Sequence, residues 1–451
     1  MKRTLYTNLV NWKQSARRKP LLLRGARQTG KTHLITQFGR TEYDNLITIN
    51  FERDRSVADF FTETLDARQL VHNLAIYTGQ HIRPGKDLIF FDEIQASIRA
   101  LNALKYFHEQ LPEYHIVAAG SLLGIALSGP DSFPVGKVNF LDLYPLTFFE
   151  FLDALGQSAL KDLVLRADSP QPYPEPLHKQ LLHYLRFYYF TGGMPEVVAV
   201  YAQNNDLDEV REVQNEILNA YAFDFSKYAA GPDIPKLRMI WDSIPGQLSK
   251  ENKKFVFKAL KKSARLRDFE NALQWLENAG LIHRVFRIST VQRPLHAYRR
   301  ENIFKLYCLD VGLLGALAGL PAKLTVQGED IFREFKGALV ENYVLQELKA
   351  SRHCRMYYWE SEGRAEVDFV VETPEQVLPL EVKAGTNTRS KSLQAFDAKF
   401  HPPYLGRTSL ANLKKDERIL NIPLYAIGTF PWRLEGSIHR SPGSDRHNPP
   451  R

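Results

Sequence analysis

Gly25-Ala26-Arg27-Gln28-Thr29-Gly30-Lys31-Thr32 follows the apolar run Leu21-Leu22-Leu23, and about sixty residues later Leu88-Ile89-Phe90-Phe91 leads into Asp92-Glu93. The first string is a complete phosphate-binding loop, GxxxxGK[ST], and the second is an apolar strand ending in paired acids at the spacing such a fold needs. Glycines let backbone N–H groups close around phosphates with no side chain in the way, and the run before them reads as a buried parallel strand. Residue types then assign roles. Lys31 reaches the β- and γ-phosphate oxygens as a point charge, the Thr32 hydroxyl ligates Mg²⁺, and Asp92 holds that ion through its waters. Glu93 is the candidate for orienting the attacking water. The competing reading of the loop, an ordinary glycine turn, leaves both flanking strands unexplained.

Outward from the loop, Leu21 to about Phe151 alternates strand-like and helix-like text, with strands expected at Leu46–Phe51, Leu88–Phe91 and Ile116–Ser121. Such alternation implies a parallel sheet between helices, with the ligand at the carboxyl ends of the strands. Ser121 closes the third of these strands, where a small polar side chain can touch the γ-phosphate or the attacking water. The same serine can also cap a helix that begins at Leu122-Leu123.

A chain of 451 residues exceeds the usual single core, so two or three domains are expected. Hydrophobic residues make up 44% and charged residues 24%, a globular composition, and no apolar run is long enough to span a bilayer. Lys2, Arg3, Lys13, Arg17, Arg18 and Lys19 make the start of the chain basic. Leu5, Leu9 and Trp12 are spaced as one helix face there, which argues against a secretory signal. Cys308 and Cys354 alone give neither a disulfide framework nor a thiolate metal cluster, and a reducing cytoplasm is the expected home. A net charge of +8 suits an anionic partner such as nucleic acid, or serves solubility alone.

The alternation breaks in the Pro, Ser and Asp text of Ala167 to Pro176, and helical text follows from His178 to Tyr201 and from Leu207 to Tyr228, read as a lid. Thr191-Gly192-Gly193-Met194-Pro195-Glu196 inside it suggests a tight turn between helices. Glu251 to Arg287 reads as a winged helix: a basic helix around Lys253 to Lys262, a second helix from Asp268 to Ala279 with Phe269, Ala272, Leu273 and Leu276 on one face, then a strand after Gly280. Eight Lys or Arg lie between Lys250 and Arg267 against one Glu, and Arg284, Arg287, Arg293, Arg299 and Arg300 follow. This predicts a phosphate-binding surface, although Asp268, Glu270 and Glu277 on the second helix disfavour base readout. A winged helix used for packing or for a protein partner is the alternative.

Farther on, Glu366-Val367-Asp368-Phe369-Val370-Val371 precedes Leu378-Pro379-Leu380-Glu381-Val382-Lys383. Period-two alternation sets Asp368 on one strand and places Glu381 with Lys383 on one face of the next. Glu341, on a helix spanning Phe335 to Val344, can complete the cluster. Two or three carboxylates can hold a divalent ion, with Asp368 and Glu381 as the candidate ligands, and a nearby lysine can position or deprotonate a water that attacks a phosphodiester. The bland reading is a solvated hairpin with an incidental E-x-K.

The texts GARQTGKT, LIFFDEIQ, AAGSLLG, PVGKVNFLDLYPLTFFEFL, GGMPEVV, FKLYCLDVGLL, EVDFVV and LEVK, in that order, resemble prokaryotic AAA-type ATPases whose C-terminal domain of unknown function is related to the PD-(D/E)xK nuclease superfamily. The resemblance implies an α/β chain: an AAA-type ATPase domain with a parallel sheet over 1–165, a helical lid over 178–230, a winged helix over 236–300 and a restriction-endonuclease-like domain over 301–430. A tail with few large apolar residues, 435–451, is expected to be disordered. It implies ATP and Mg²⁺ as cofactors, a prokaryotic cytoplasmic setting, and roles for Lys31, Thr32, Asp92 and Glu93 at one site and for Glu341, Asp368, Glu381 and Lys383 at the other. No arginine is placed by motif as a finger completing the ATP site, and Lys137 stands in the PVGK segment instead. The leading expectation is an ATPase acting on DNA, with a homo-oligomer or a protein partner possible. An ATP-gated nuclease and a nucleotide switch with an inactive nuclease-like domain are the rivals.

Overall fold

The computed structural model describes residues 1–126, 136–167, 171–250, 252–322, 326, 333–351, 354–361, 365–386 and 389–430. The expected tail over 435–451 lies outside them. Helix α1 (Leu5–Gln14) buries Leu9 and Trp12 and leads into β1 (Leu21–Arg24), whose three leucines are enclosed on both faces. With α2 (Lys31–Glu42), β2 (Asn45–Asn50), α3 (Val57–Glu63), α4 (Ala67–Thr78), β3 (Asp87–Asp92), α5 (Ile98–Gln110), β4 (His115–Ala119), α6 (Leu123–Ala126) and β5 (Asn139–Asp142), this segment builds a parallel sheet of order β2-β3-β4-β1-β5. Every residue of β3 and β4 is buried, as strands covered by helices on both faces must be. Leu22 lies opposite Ala118, and Ile89 opposite Ile116. The edge strand β5 pairs Leu23 with Leu141. Ser121 sits past the end of β4 rather than in it.

Helices α7 (Phe148–Ala154), α8 (Ser158–Leu165), α9 (Glu175–Thr191), α10 (Pro195–Asn204), α11 (Leu207–Tyr228) and α12 (Ile234–Leu248) follow. Thr147 and Glu150 form a reciprocal capping box at the start of α7, and Asp206 caps α11 through the N–H groups of Asp208 and Glu209. Then come α13 (Leu266–Asn278), β6 (Ile282–Ile288), β7 (Arg299–Cys308), α14 (Val311–Leu317), α15 (Arg333–Ser351), β8 (Arg355–Glu360), β9 (Glu366–Glu372), β10 (Val377–Val382), α16 (Lys391–Phe400), β11 (Leu405–Ser409), β12 (Lys414–Asp416) and β13 (Ile419–Pro423).

Two expectations are corrected here. Lys253 to Lys262 forms no α-helix: the chain from Lys253 to Val256 runs beside β7, with a bridge between Lys254 and Lys305, and then turns at Phe257–Ala259 and again at Leu260 and Lys262. Its apolar residues obey period two, not 3.6. Phe255 is buried and stacks on Phe304 at 5.7 Å, Val256 is exposed, and Phe257 turns inward against Phe304 and Phe269. The second correction concerns the expected boundary between 300 and 301, which falls inside β7. The β6–β7 hairpin is no free wing, because β6 also pairs in parallel with β8, Phe286 opposite Tyr357, within one eight-stranded sheet of order β12-β13-β11-β10-β9-β8-β6-β7.

The Thr191–Glu196 turn lies at the centre of a buried polar junction. Gly193 N–H donates to Asp310 at 2.6 Å and its carbonyl accepts from Leu146 N–H at 2.6 Å. Gln346 on α15 donates to Asp310 and to the Tyr188 hydroxyl, and Glu347 accepts from Phe148 N–H at 2.8 Å, at the first turn of α7. Burial pushes the Asp310 carboxyl up to about 6 and that of Glu347 up to about 8. The paired glycines are required by space. A Cβ on Gly193 would lie 2.0 Å from the Leu146 carbonyl oxygen, and one on Gly192 2.1 Å from Asp310.

Candidate nucleotide site and acidic cluster

The loop Gly25–Gly30 connects β1 to the first turn of α2, and its conformation needs glycine at both ends. Gly30 has φ 89°, and a Cβ on Gly25 would meet the Leu143 carbonyl oxygen at 2.3 Å. Thr29 Oγ1 donates to the Ala26 carbonyl at 2.8 Å and braces the loop. Lys31, nearly buried, donates to the carbonyls of Gly25 at 3.0 Å and Ala26 at 2.8 Å. Burial pulls its ammonium down to about 8 against the opposing charges of Glu93 and Asp92. Across the loop, the Thr32 hydroxyl lies 3.1 Å from both carboxylate oxygens of Asp92, and Asn50 Nδ2 donates to the same group at 3.2 Å. Burial and neighbouring Glu93 raise the Asp92 carboxyl. Glu93 occupies the left-handed region at φ 49°, and its carboxylate accepts from Ser121 Oγ at 2.9 Å and Gln95 Nε2 at 2.6 Å. The structure therefore gathers Lys31, Thr32, Asp92, Glu93 and Ser121 at the carboxyl edge of the sheet. Thr32 and Asp92 offer the hard oxygen donors that magnesium takes, so the residues present fit the ion.

Sequence reasoning missed the residues that grip the loop from outside. Arg3, before α1, donates to the Thr29 carbonyl at 2.9 Å and pairs with Glu150 at 3.3 Å. Arg27 pairs with Asp224 on α11 at 2.5 Å, and the Tyr221 hydroxyl donates to the Arg27 carbonyl at 2.9 Å. Gly280, in the turn after α13, lies so close that a Cβ there would be 3.4 Å from the Ala26 nitrogen. None of these has a local motif, because each partner is distant in sequence. Lys137 pairs with Glu109 at 3.1 Å and takes no part in this cluster.

The second set also converges, but in unexpected company. Asp368 on β9 and Glu381 on β10 stand one step beyond the last registered pair, Leu380 opposite Phe369, and Val382 N–H donates to Asp368 at 2.8 Å. Glu381 pairs with Lys383 at 2.7 Å. Glu341 reaches in from α15 and accepts from the Tyr307 hydroxyl at 3.1 Å. Among them lies Lys305 of β7, fully buried, with Nζ 3.6 Å from Glu341, 3.8 Å from Asp368 and in contact with Glu366. Lys253 adds a second ammonium against Glu341. Burial would raise the Glu341 carboxyl, but Lys305 and Lys253 hold it low; burial and Glu341 push Asp368 up to about 7. Among the described residues no group of three or more His, Cys, Asp or Glu side chains is placed to hold a metal ion.

Much of the predicted basic surface is spent internally. Arg284 pairs with Glu277 and Glu270, Arg287 and Lys254 share Glu360, and Arg299 pairs with Glu301. Arg293 donates to the Glu375 carbonyl. The acids on α13 thus neutralise Arg284 of the hairpin that follows it. Lys258, Lys261, Lys262, Arg265, Arg267 and Arg300 are exposed.

Among the described residues no helix is long and apolar enough to cross a membrane. A family described as "AAA domain" matches residues 17–152, one described as "Domain of unknown function (DUF8612)" matches 182–324, and "Domain of unknown function (DUF4143)" matches 336–427. A Walker-type ATPase of Pyrococcus abyssi aligns at 16% identity over 70% of this chain and 95% of its own, with a TM-score of 0.45. The Aeropyrum pernix Orc1 protein, solved in complex with DNA, aligns at 13% identity over 70% and 90% with a TM-score of 0.29. Aquifex aeolicus DnaA, solved with AMPPCP bound, aligns at 13% identity over 61% and 86% with a TM-score of 0.24. No curated protein matches the chain. Residues 17–152, with their phosphate loop, acidic strand end and parallel sheet, form an AAA-type ATPase domain.

Proposed function

We propose that the chain binds ATP with Mg²⁺ between Lys31, Thr32 and Asp92, hydrolyses it with Glu93 and Ser121 positioning the attacking water, and uses the cycle to move its middle and C-terminal parts on DNA. The single observation carrying the nucleotide reading is the convergence of those five side chains on one glycine-lined loop. When bound, magnesium would neutralise charge on the β- and γ-phosphates. The chain's own residues do the rest. Lys31 must leave the Gly25 and Ala26 carbonyls to meet phosphate, and those two hydrogen bonds keep the ammonium satisfied until ligand arrives. Glu93, held by Ser121 and Gln95, is aimed by strand ends rather than by a free loop, which is the rigidity that water positioning needs.

Coupling rests on the outside grip. Any shift of the loop on phosphate binding pulls on Asp224 and Tyr221 of α11 and on the turn after α13, so the domains beyond the sheet feel the nucleotide mechanically. DNA is the proposed partner because Lys258, Lys261, Lys262, Arg265 and Arg267 remain exposed along one stretch. Oligomeric assembly enters the proposal only as a source for an arginine finger, which no motif of the chain places. The test is ATP hydrolysis by the full chain with and without duplex DNA. Stimulation by DNA joins the two surfaces, and full hydrolysis by Lys31→Ala would sink the reading.

A second reading, a metal-dependent nuclease at Glu341, Asp368, Glu381 and Lys383, is favoured by the helix-Glu, strand-Asp, strand-Glu-x-Lys arrangement on α15, β9 and β10. Plasmid cleavage lost in Lys383→Ala supports it.

A further inference from the structure

We infer that the C-terminal acidic cluster is filled by the chain's own ammonium groups, with Lys305 standing where a nuclease-like site would take its divalent cation, so that this site takes no metal and does not cut. The inference rests on the reading of α15, β9 and β10 as nuclease-like, and asks whether the metal such a site implies fits the residues present. It does not fit. Lys305 carries its charge in from β7, outside the strand pair that bears Asp368 and Glu381, and is fully buried with carboxylates of Glu341, Glu366 and Asp368 about it. A second charge comes from Lys253 on the extended segment beside β7, against the same Glu341. Other groups of the chain also engage the cluster: the Val382 N–H donates to Asp368, the Tyr307 hydroxyl to Glu341, and Lys383 pairs with one Glu381 oxygen, while the second, buried Glu381 oxygen has no hydrogen-bond partner among the described residues.

Electrostatics make this a stable alternative to metal. A buried carboxylate cluster is costly unless it is protonated or met by positive charge, and either a divalent ion or two ammonium groups supplies that charge. A cation entering at Glu341 would lie within a few ångströms of the Lys305 ammonium, which the face of the Tyr358 ring, 5.1 Å from Nζ, also holds in place. Lys305 and Tyr307 on β7 tie the β6–β7 hairpin to α15 and β9, so the cluster acts as a polar pin between the middle and C-terminal parts.

The test is manganese binding to the full chain without nucleotide, by calorimetry and by the electron paramagnetic resonance signal of free Mn²⁺, comparing the parent with Glu341→Gln and Asp368→Asn. Indistinguishable uptake by all three supports the inference. A parent that binds Mn²⁺ at least tenfold more tightly than Glu341→Gln or Asp368→Asn overturns it. Lys305→Met extends the comparison through stability: its Tm should fall in EDTA and recover in Mn²⁺, while the parent's Tm is the same in both. Should Lys305→Met fail to fold, the comparison of the parent with the carboxylate variants decides alone. Because no nucleotide is present, failure here is separate from failure of the ATPase reading, which ATP calorimetry reports.

Discussion

Lys31 carries a pH signature. Its ammonium is held down to about 8 by burial in the free protein, and phosphate contact will raise it, so ATP binding takes up a proton above that pH. Affinity measured by calorimetry should be flat below about pH 7.5 and roughly tenfold weaker by about pH 9. A profile unchanged across that window means Lys31 does not meet the phosphates. Glu93→Gln should keep ATP affinity and lose about a hundredfold or more in turnover, since the amide retains the contacts to Ser121 and Gln95 but accepts no proton. Equal loss of binding and turnover would instead make Glu93 a structural residue of the loop.

At the scale of elements, the Thr191–Glu196 turn and the extended basic segment separate packing from recognition. Gly193→Ala sets a Cβ against backbone that cannot move, and should cost about 3 kcal/mol or prevent folding. Gly246→Ala in α12 meets nothing within 4 Å and should stabilise by about 0.5–1 kcal/mol. Urea midpoints on the full chain compare the two. If the Lys258–Lys262 stretch meets DNA, replacing Lys258, Lys261 and Lys262 together by Gln should weaken binding at every sequence and flatten the dependence of affinity on salt by about 0.9 per lost phosphate contact. An unaltered slope assigns the stretch to solubility.

Over the whole molecule, buried carboxyls at the junction of the domains set a stability trend with pH. Glu347 is raised to about 8 from its ordinary value near 4.5, so the fold favours its neutral form. That contribution is complete below about pH 4.5 and is lost as pH rises through 8, with a slope of at most about 1.4 kcal/mol per unit; Asp310, raised to about 6, acts in the same direction over a narrower window. Glu347→Gln should therefore show a flatter Tm between about pH 5 and pH 8 than the parent. A parent curve that rises across that range contradicts the assignment.

The nucleotide site was legible in the chain because its chemistry is local: a strand, a glycine loop and a helix start are contiguous, and the acidic strand end has an apolar run that announces it. The helices and the strand-Asp, strand-Glu-x-Lys pattern were legible for the same reason, through periodicity. Pairing was not. Phe255 and Phe257 read as part of a basic helix until Phe304 supplied the surface on which period two makes sense. The arginines of the hairpin looked free until Glu277, Glu270 and Glu360 were folded against them, and the acidic cluster looked ready for metal until β7 carried Lys305 into it. Charge balance and burial belong to groups far apart in sequence, so only the tertiary structure could decide which charges face a ligand and which already face each other.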